Sequence, residues 1–303
     1  MTHDPTTPGA SAVDPAHVQE HAVAPGAYGV TTGPDGALWF TVVESGQIGR
    51  LVPGGEPSYV DVGPDSGPTI ITPGPDGALW FTQYRAHRIG RLTVDGSLTE
   101  FDLPTPSCGP YGIAAGPDGA LWFTETAAGR IGRITTDGDV TEYSLGTTDG
   151  FPSAITAGAD GGMWFTLNQG NAVGRVGTDG GVTMFPLPTA GAAPVGLTLG
   201  PDGALWYTAI ASGQIGRVGT DGAVTEFDLP DRAARPHAIT AGPGGALWFT
   251  EWAGNRLCSV TTDGVVTGYD LPTPDSEPHG VTTGPDGAVW AALESGALAR
   301  LAV

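Results

Sequence analysis

Positive charge is scarce in this chain. Only 12 Lys+Arg stand against 32 Asp+Glu, a formal net charge of -20, and no basic run occurs anywhere. A phosphate backbone would be repelled, so nucleic acid is not an expected partner. Cysteine is nearly absent: Cys108 and Cys258 lie far apart and form no CxxC or Cys/His cluster. Neither a disulfide framework nor a zinc site is suggested, and both read as small buried hydrophobes. No apolar run approaches the length that spans a bilayer, and the opening MTHDPTTPGASAVDPAH lacks a positive start followed by an apolar core. The expectation is a soluble, cytoplasmic protein with no membrane contact. Helical periodicity is missing as well, which excludes leucine-rich and helical solenoids.

What the chain has in excess is glycine and proline, 50 and 27 of its 303 residues. Without a period this would hint at low complexity; with one it marks frequent tight turns. The period is plain. The tryptophan of LWFT and its variants recurs at Trp39, Trp80, Trp122, Trp164, Trp206, Trp248 and Trp290, every 41 or 42 residues. A turn such as GPDG precedes each one in five copies, with Pro presetting the first turn residue and Gly accepting positive φ. After each Trp come a short apolar phrase (QIGRL, RIGRI), usually a TDG or VDG turn, and an alternating phrase such as VTEYSL or VTEFDL. With the PxG-type phrase ahead of the turn, each repeat holds four strands. The fold class is therefore all-β, a seven-bladed β-propeller with four-stranded blades, occupying residues 18–303 as one domain. The tail over residues 1–17, rich in Pro, Thr and Ala, reads as disordered.

Strand counting predicts how the ring closes. Repeats one to six each carry a fourth strand, the last being VTGYDL (266–271), whereas the chain ends on ALARL (297–301), a third strand. The spare segment VQEHAV (18–23) is expected to pair into the last blade and remove its open edge. A closed ring without a large exposed apolar strand makes a monomer the default.

Identical positions read as structure: Trp between sheets, Gly in turns, and the Arg of IGR as a repeated surface or inter-blade contact. Function is sought where the copies diverge. The middle residue of the PxG phrase runs Tyr28, Thr69, Tyr111, Ser153, Val195, His237, His279, and ring symmetry gathers these side chains around one mouth of the central channel. Two histidines fall on neighbouring blades, in RPHAIT and EPHGVT; strand starts facing a polar channel also tolerate histidine for purely structural reasons. Glu277 lies two residues before His279, and Glu294 follows the seventh Trp in WAALESG. Two acids beside a histidine suit a hard divalent cation held through oxygen, with the imidazole left free as a base. A chain with 32 acids also places some near a histidine by accident. Glu125 and Glu251, ending LWFTE, are expected to face the same region, or to be repeat consensus. Trp252 is either an aromatic wall for a ligand or the cap of an apolar gap.

With GPYGI, LWFTE, RIGRIT, RPHAIT…LWFTEW and SEPHG…W…LE in place, the chain resembles the virginiamycin B lyase (streptogramin B lyase) family over residues 18–303. The resemblance implies a Mg²⁺-dependent lyase that linearises cyclic depsipeptide antibiotics of the streptogramin B group by elimination at their ester, without water. Carried over by motif, His279 of EPHG would be the general base, Glu277 and Glu294 the Mg²⁺ ligands, and His237 of RPHA a substrate contact. Tyr28 would be a second substrate contact, although its phrase reads APGAYG where the family usually has GP before the tyrosine. Further departures are Val42, Gln83, Leu167 and Ala209 in place of the final Glu of LWFTE. An imidazole near its usual pKa would suit activity at and slightly above neutral pH. Two rival readings remain: a non-catalytic propeller that binds a peptide or protein at its mouth, and a metal-dependent lactonase or esterase on the same architecture.

Overall fold

Seven four-stranded antiparallel sheets follow one another along the chain, each made of strands of four to six residues joined by tight turns. The computed structural model describes residues 18–303; the tail read above as disordered lies outside the described residues. The last sheet takes its outermost strand from the other end of the chain. Val18–Ala22 pairs antiparallel with Ala297–Leu301, so blade seven is closed by the N-terminal strand as the strand count required. Glu20 adds a side-chain clasp, accepting hydrogen bonds from the Thr273 backbone N–H and hydroxyl of blade six. Glu142 and Glu226 hold Thr105 and Thr189 of their preceding blades the same way.

The core is a set of seven apolar layers between blades. Each repeat Trp packs into the next blade: Trp39 lies with Ile71, Leu79 and Phe81 of blade two, and Trp290 with Val30, Leu38 and Phe40 of blade one. At the turn before each Trp, the Asp of GPDG or GADG ties the motif together. In six blades the Trp Nε1–H donates to Asp Oδ1 at 2.9–3.0 Å. The Arg of the following strand donates through Nε to Oδ2 of the same Asp at 2.5–2.7 Å. The repeated Arg is thus an intra-blade ion pair. Partial burial alone would raise these carboxyls, but the hydrogen bonds outweigh it and hold them below the usual range. Blade six departs, with Gly244 and Ser259 in the Asp and Arg places, and Trp248 donates to the Pro243 carbonyl instead.

Glycine in IGR has a packing reason. A β-carbon at Gly132 would come within 2.0 Å of the Phe123 ring, so the large ring and the bare backbone must occur together. Cys108 and Cys258 are buried and unpaired, as their isolation in sequence suggested.

Removing residues 1–24 takes away the outer strand of blade seven together with the Glu20 clasp. We expect the melting temperature to fall by roughly 10 °C or more, measured by differential scanning calorimetry; an unchanged melt would contradict ring closure by this strand.

Candidate functional site

The innermost strand of each blade begins with a bulge. In blade seven Pro278 pairs with Leu293 and Val281 with Ala291, so one extra residue is accommodated on the inner strand, and the same shift recurs in all seven sheets. Such a bulge re-aims a side chain out of the ladder. The re-aimed residues are those of the PxG phrase, which line the mouth.

A threonine hydroxyl fixes the backbone at this point. Thr208 accepts a hydrogen bond from Gly196 N–H in its own blade and donates to the His237 carbonyl of the next at 2.6 Å. Thr250 does the same between Ala238 N–H and the His279 carbonyl, at 2.8 Å. Six blades make this bridge; in the seventh Ala292 stands in the threonine place, and Gly280 packs so tightly that a β-carbon would meet the Tyr28 carbonyl at 2.6 Å.

Two further positions complete the mouth in every blade. The residue before the inner strand accepts, through its carbonyl, the N–H of the residue that follows the second strand. These pairs are Gly26 with Val43, Gly67 with Tyr84, Gly109 with Thr126, Phe151 with Asn168, Ala193 with Ile210, Arg235 with Trp252, and Glu277 with Glu294. Blade seven therefore offers Glu277, His279 and Glu294 from the three mouth positions, and their ligand atoms all lie within 4.8 Å of one another. His279 is buried, while both carboxylates open to solvent.

Around this trio the neighbouring blades converge. The Tyr28 ring lies over His279 with centroids 4.3 Å apart, and His237 meets His279 edge-on at 4.8 Å. The Tyr28 hydroxyl is 2.6 Å from that of Tyr111 and 3.4 Å from His237 Nε2. Tyr28 reaches this cluster although Ala27 replaces the proline before it. All five residues singled out in the sequence, Tyr28, His237, Glu277, His279 and Glu294, thus meet at one mouth. Glu125 and Glu251 do not join them. Both are buried, and burial followed by Glu142 pushes the Glu125 carboxyl up to about 8. Trp252 stacks beneath the Arg235 guanidinium, 5.6 Å from its ring centre.

Electrostatics correct one expectation. Burial pushes His279 down to about 4, and burial with the adjoining His279 pushes His237 down to about 3, so neither keeps an ordinary histidine pKa. Both rings are neutral at neutral pH. His279 Nε2 is 2.8 Å from Glu294 Oε2, while its Nδ1 is buried with no partner among the described residues. Nothing behind the ring fixes the tautomer, so Nε2 can donate to Glu294 or, with Nδ1 protonated and Glu294 turned aside, present a lone pair to the mouth. Partial desolvation and the Glu294 carboxylate raise the Glu277 pKa. Two carboxylates held this close concentrate negative charge that a hard cation would relieve, so the donor set fits Mg²⁺.

Sequence inspection missed Tyr84, Phe151 and Arg235. Their common signal is the pair of positions that flank the PxG bulge, and it emerges only when the blades are aligned by hydrogen bonding.

The virginiamycin B lyase family model matches residues 16–301. A curated virginiamycin B lyase of Saccharopolyspora erythraea is 61% identical over 92 residues, so the matched stretch spans 29% of this chain and 31% of that protein. A solved streptogramin B lyase structure is 42% identical with a TM-score of 0.91, covering 94% of this chain and 97% of that one. Virginiamycin B lyase from Staphylococcus aureus is 41% identical at TM-score 0.91, over 94% and 99%. A catalytically inactive histidine-to-alanine form of the Staphylococcus aureus enzyme, crystallised with quinupristin, is 40% identical at the same TM-score and coverage.

A pH test follows from His237. Its folded pKa of about 3 lies below the unfolded value of about 6.5. Between these values the unfolded chain binds a proton that the folded chain does not, so stability falls as pH drops from about 6.5 towards 3. The slope from this group is at most about 1.4 kcal/mol per pH unit. His237→Gln should flatten the acid limb of a plot of stability against pH obtained by urea denaturation.

Proposed function

The chain belongs to the virginiamycin B lyase family, and on that premise we propose that it inactivates streptogramin B antibiotics by opening the cyclic depsipeptide at its ester through elimination. The observation that carries this is the convergence of Glu277, neutral His279 and Glu294 beneath a mouth ringed by Tyr28, Tyr111 and His237. The inactive histidine-to-alanine relative, crystallised with quinupristin, supports a histidine in the central role.

His279 is the base. Its neutral imidazole takes the threonyl Cα proton through Nε2, the electrons form the Cα–Cβ double bond, and the Cβ–O bond breaks with the ester carboxylate leaving. The product is a linear peptide bearing dehydrobutyrine in place of threonine, with no water added. Glu294, turned aside from Nε2 as the ring presents its lone pair but still beside it, stabilises the imidazolium that forms. Glu277 and Glu294 would hold Mg²⁺, which when bound supplies Lewis-acid stabilisation of negative charge developing beside the acidic carbon. His237 and Tyr28 contact the substrate. Tyr28, hydrogen-bonded to Tyr111 and lying over the base, also limits water at the ring.

Mass spectrometry of quinupristin after incubation with the protein, with Mg²⁺ or with EDTA, tests the proposal. The expected result is an opened product of unchanged mass formed only with metal. A gain of about 18 Da would make the protein a hydrolase, since elimination adds nothing; intact antibiotic would remove the proposed activity. His279→Ala should abolish opening and leave the melting temperature nearly unchanged. Glu277→Gln or Glu294→Gln should raise the Mg²⁺ concentration needed for half-maximal rate by tenfold or more.

A further inference from the structure

We propose that Phe151, with Tyr84 and Tyr111, forms a specificity pocket that receives an aromatic or branched apolar side chain of the cyclic depsipeptide; this rests on the lyase reading of the same mouth. Three observations carry it.

A cavity of about 240 Å³ opens beside the site, and Tyr28, Val43, Tyr84, Tyr111, Phe151 and Glu294 are among the residues that line it. It is continuous with the proposed centre, because Glu294 and Tyr28 belong to both. Four of its nine lining residues are aromatic, and of its two acids Glu44 is already paired with Arg85 at 2.5 Å. An apolar cavity of ~150 Å³ accommodates benzene, so this one has room for a phenyl group and its stem. Edge or offset contacts between rings add to the area they bury.

The second observation is conformational. Phe151 sits at φ 50°, in the left-handed region, immediately before Pro152. The equivalent residues of blades one to three are Gly26, Gly67 and Gly109, also at positive φ, where glycine carries no penalty. Backbone geometry alone would therefore favour glycine at 151. Ala193 shows that a β-carbon is tolerated here, and only Phe151, Arg235 and Glu277 project further. Glu277 is a proposed ligand of the centre, so one strained position of this series already serves the mouth.

The third is placement. Phe151 stands on blade four, across the ring from blade seven, and Tyr84 on blade two between them. A side chain seated against these rings anchors the macrocycle while its ester reaches His279. Phe151 touches no reacting atom in this arrangement, so its effect falls on KM.

The test compares quinupristin opening by the unaltered protein, Phe151→Gly, Phe151→Asn and Phe151→Tyr. Glycine and asparagine both accept positive φ, so each variant is expected to fold, with the melting temperature as control. KM should rise about tenfold for Gly and Asn, with kcat within twofold, and stay near the original for Tyr. In parallel, saturation-transfer NMR with N-acetyl-L-phenylalanine methylamide should show transfer to the phenyl protons that is lost in both Gly and Asn variants. N-acetylglycine methylamide should show none. An unchanged KM in Phe151→Asn, or phenyl transfer that persists in Phe151→Gly and Phe151→Asn, overturns the pocket. Should the unaltered protein leave quinupristin intact while the phenyl probe still responds to residue 151, the lyase reading fails and the aromatic pocket stands.

Discussion

The hydroxyl of one threonine in each of six blades sets where the mouth residue of the next blade can be. It accepts from the innermost strand of its own blade and donates to the carbonyl of the mouth residue in the next, at 2.6–3.0 Å in six of seven junctions. Because the bulge pushes that residue out of its ladder, the carbonyl would otherwise lack a partner in a buried place, a cost of ~1–3 kcal/mol. The bridge turns this liability into a ruler between blades. His237 and His279 are set by consecutive bridges, which is why two rings on different sheets meet with centroids 4.8 Å apart. The junction that lacks the hydroxyl is the seam at Ala292. There Tyr28 is held from the other side, by the Tyr111 hydroxyl.

Charge is distributed to the same end. Six of the 12 basic residues are locked on Asp at the turns beside the repeat tryptophans. Five more pair with carboxylates elsewhere in the blades. Among the described residues Arg235 is the basic side chain with no carboxylate partner, and it stands at the mouth over Trp252. The partly exposed pairs add little stability one by one, but they hold the tryptophan indoles in register. Among the described residues no arginine is ion-paired with Glu277 or Glu294, as a cation held by that pair would require.

The architecture was legible because it is periodic. Seven tryptophans, the turns before them and the missing fourth strand of repeat seven specify blade number and closure, and the divergent PxG residues point to His237, His279 and Tyr28. What was not legible depends on backbone sign and on surroundings. No residue type announces positive φ at Phe151, Arg235 or Glu277, since each precedes proline, a context that favours extended backbone. Glu125 and Glu251 share the sequence phrase LWFTE, yet they stand one residue before the mouth position, and the alternation of a strand turns them into the blade interior. Glu294, one residue further along in its own blade, opens to the mouth.

Burial gives His279 its neutral form and would also weaken it in the proposed role of base. An imidazole with a pKa of about 4 accepts a proton less readily than one near 6.5, so neutrality at pH 7 comes with a reduced driving force for removing a carbon-bound proton. The arrangement compensates where charge appears. In the proposed reaction the imidazolium would form beside the Glu294 carboxylate, and that attraction would favour proton uptake although the carboxylate opens to solvent. His237 is less suited to the proposed role: burial and the neighbouring ring push it lower still, and among the described residues no carboxylate stands at hydrogen-bond distance from it. Two histidines in near-identical phrases thereby differ in their surroundings, by a glutamate in one blade and Trp252 in the same place of the other, as the proposed division into base and neutral contact requires.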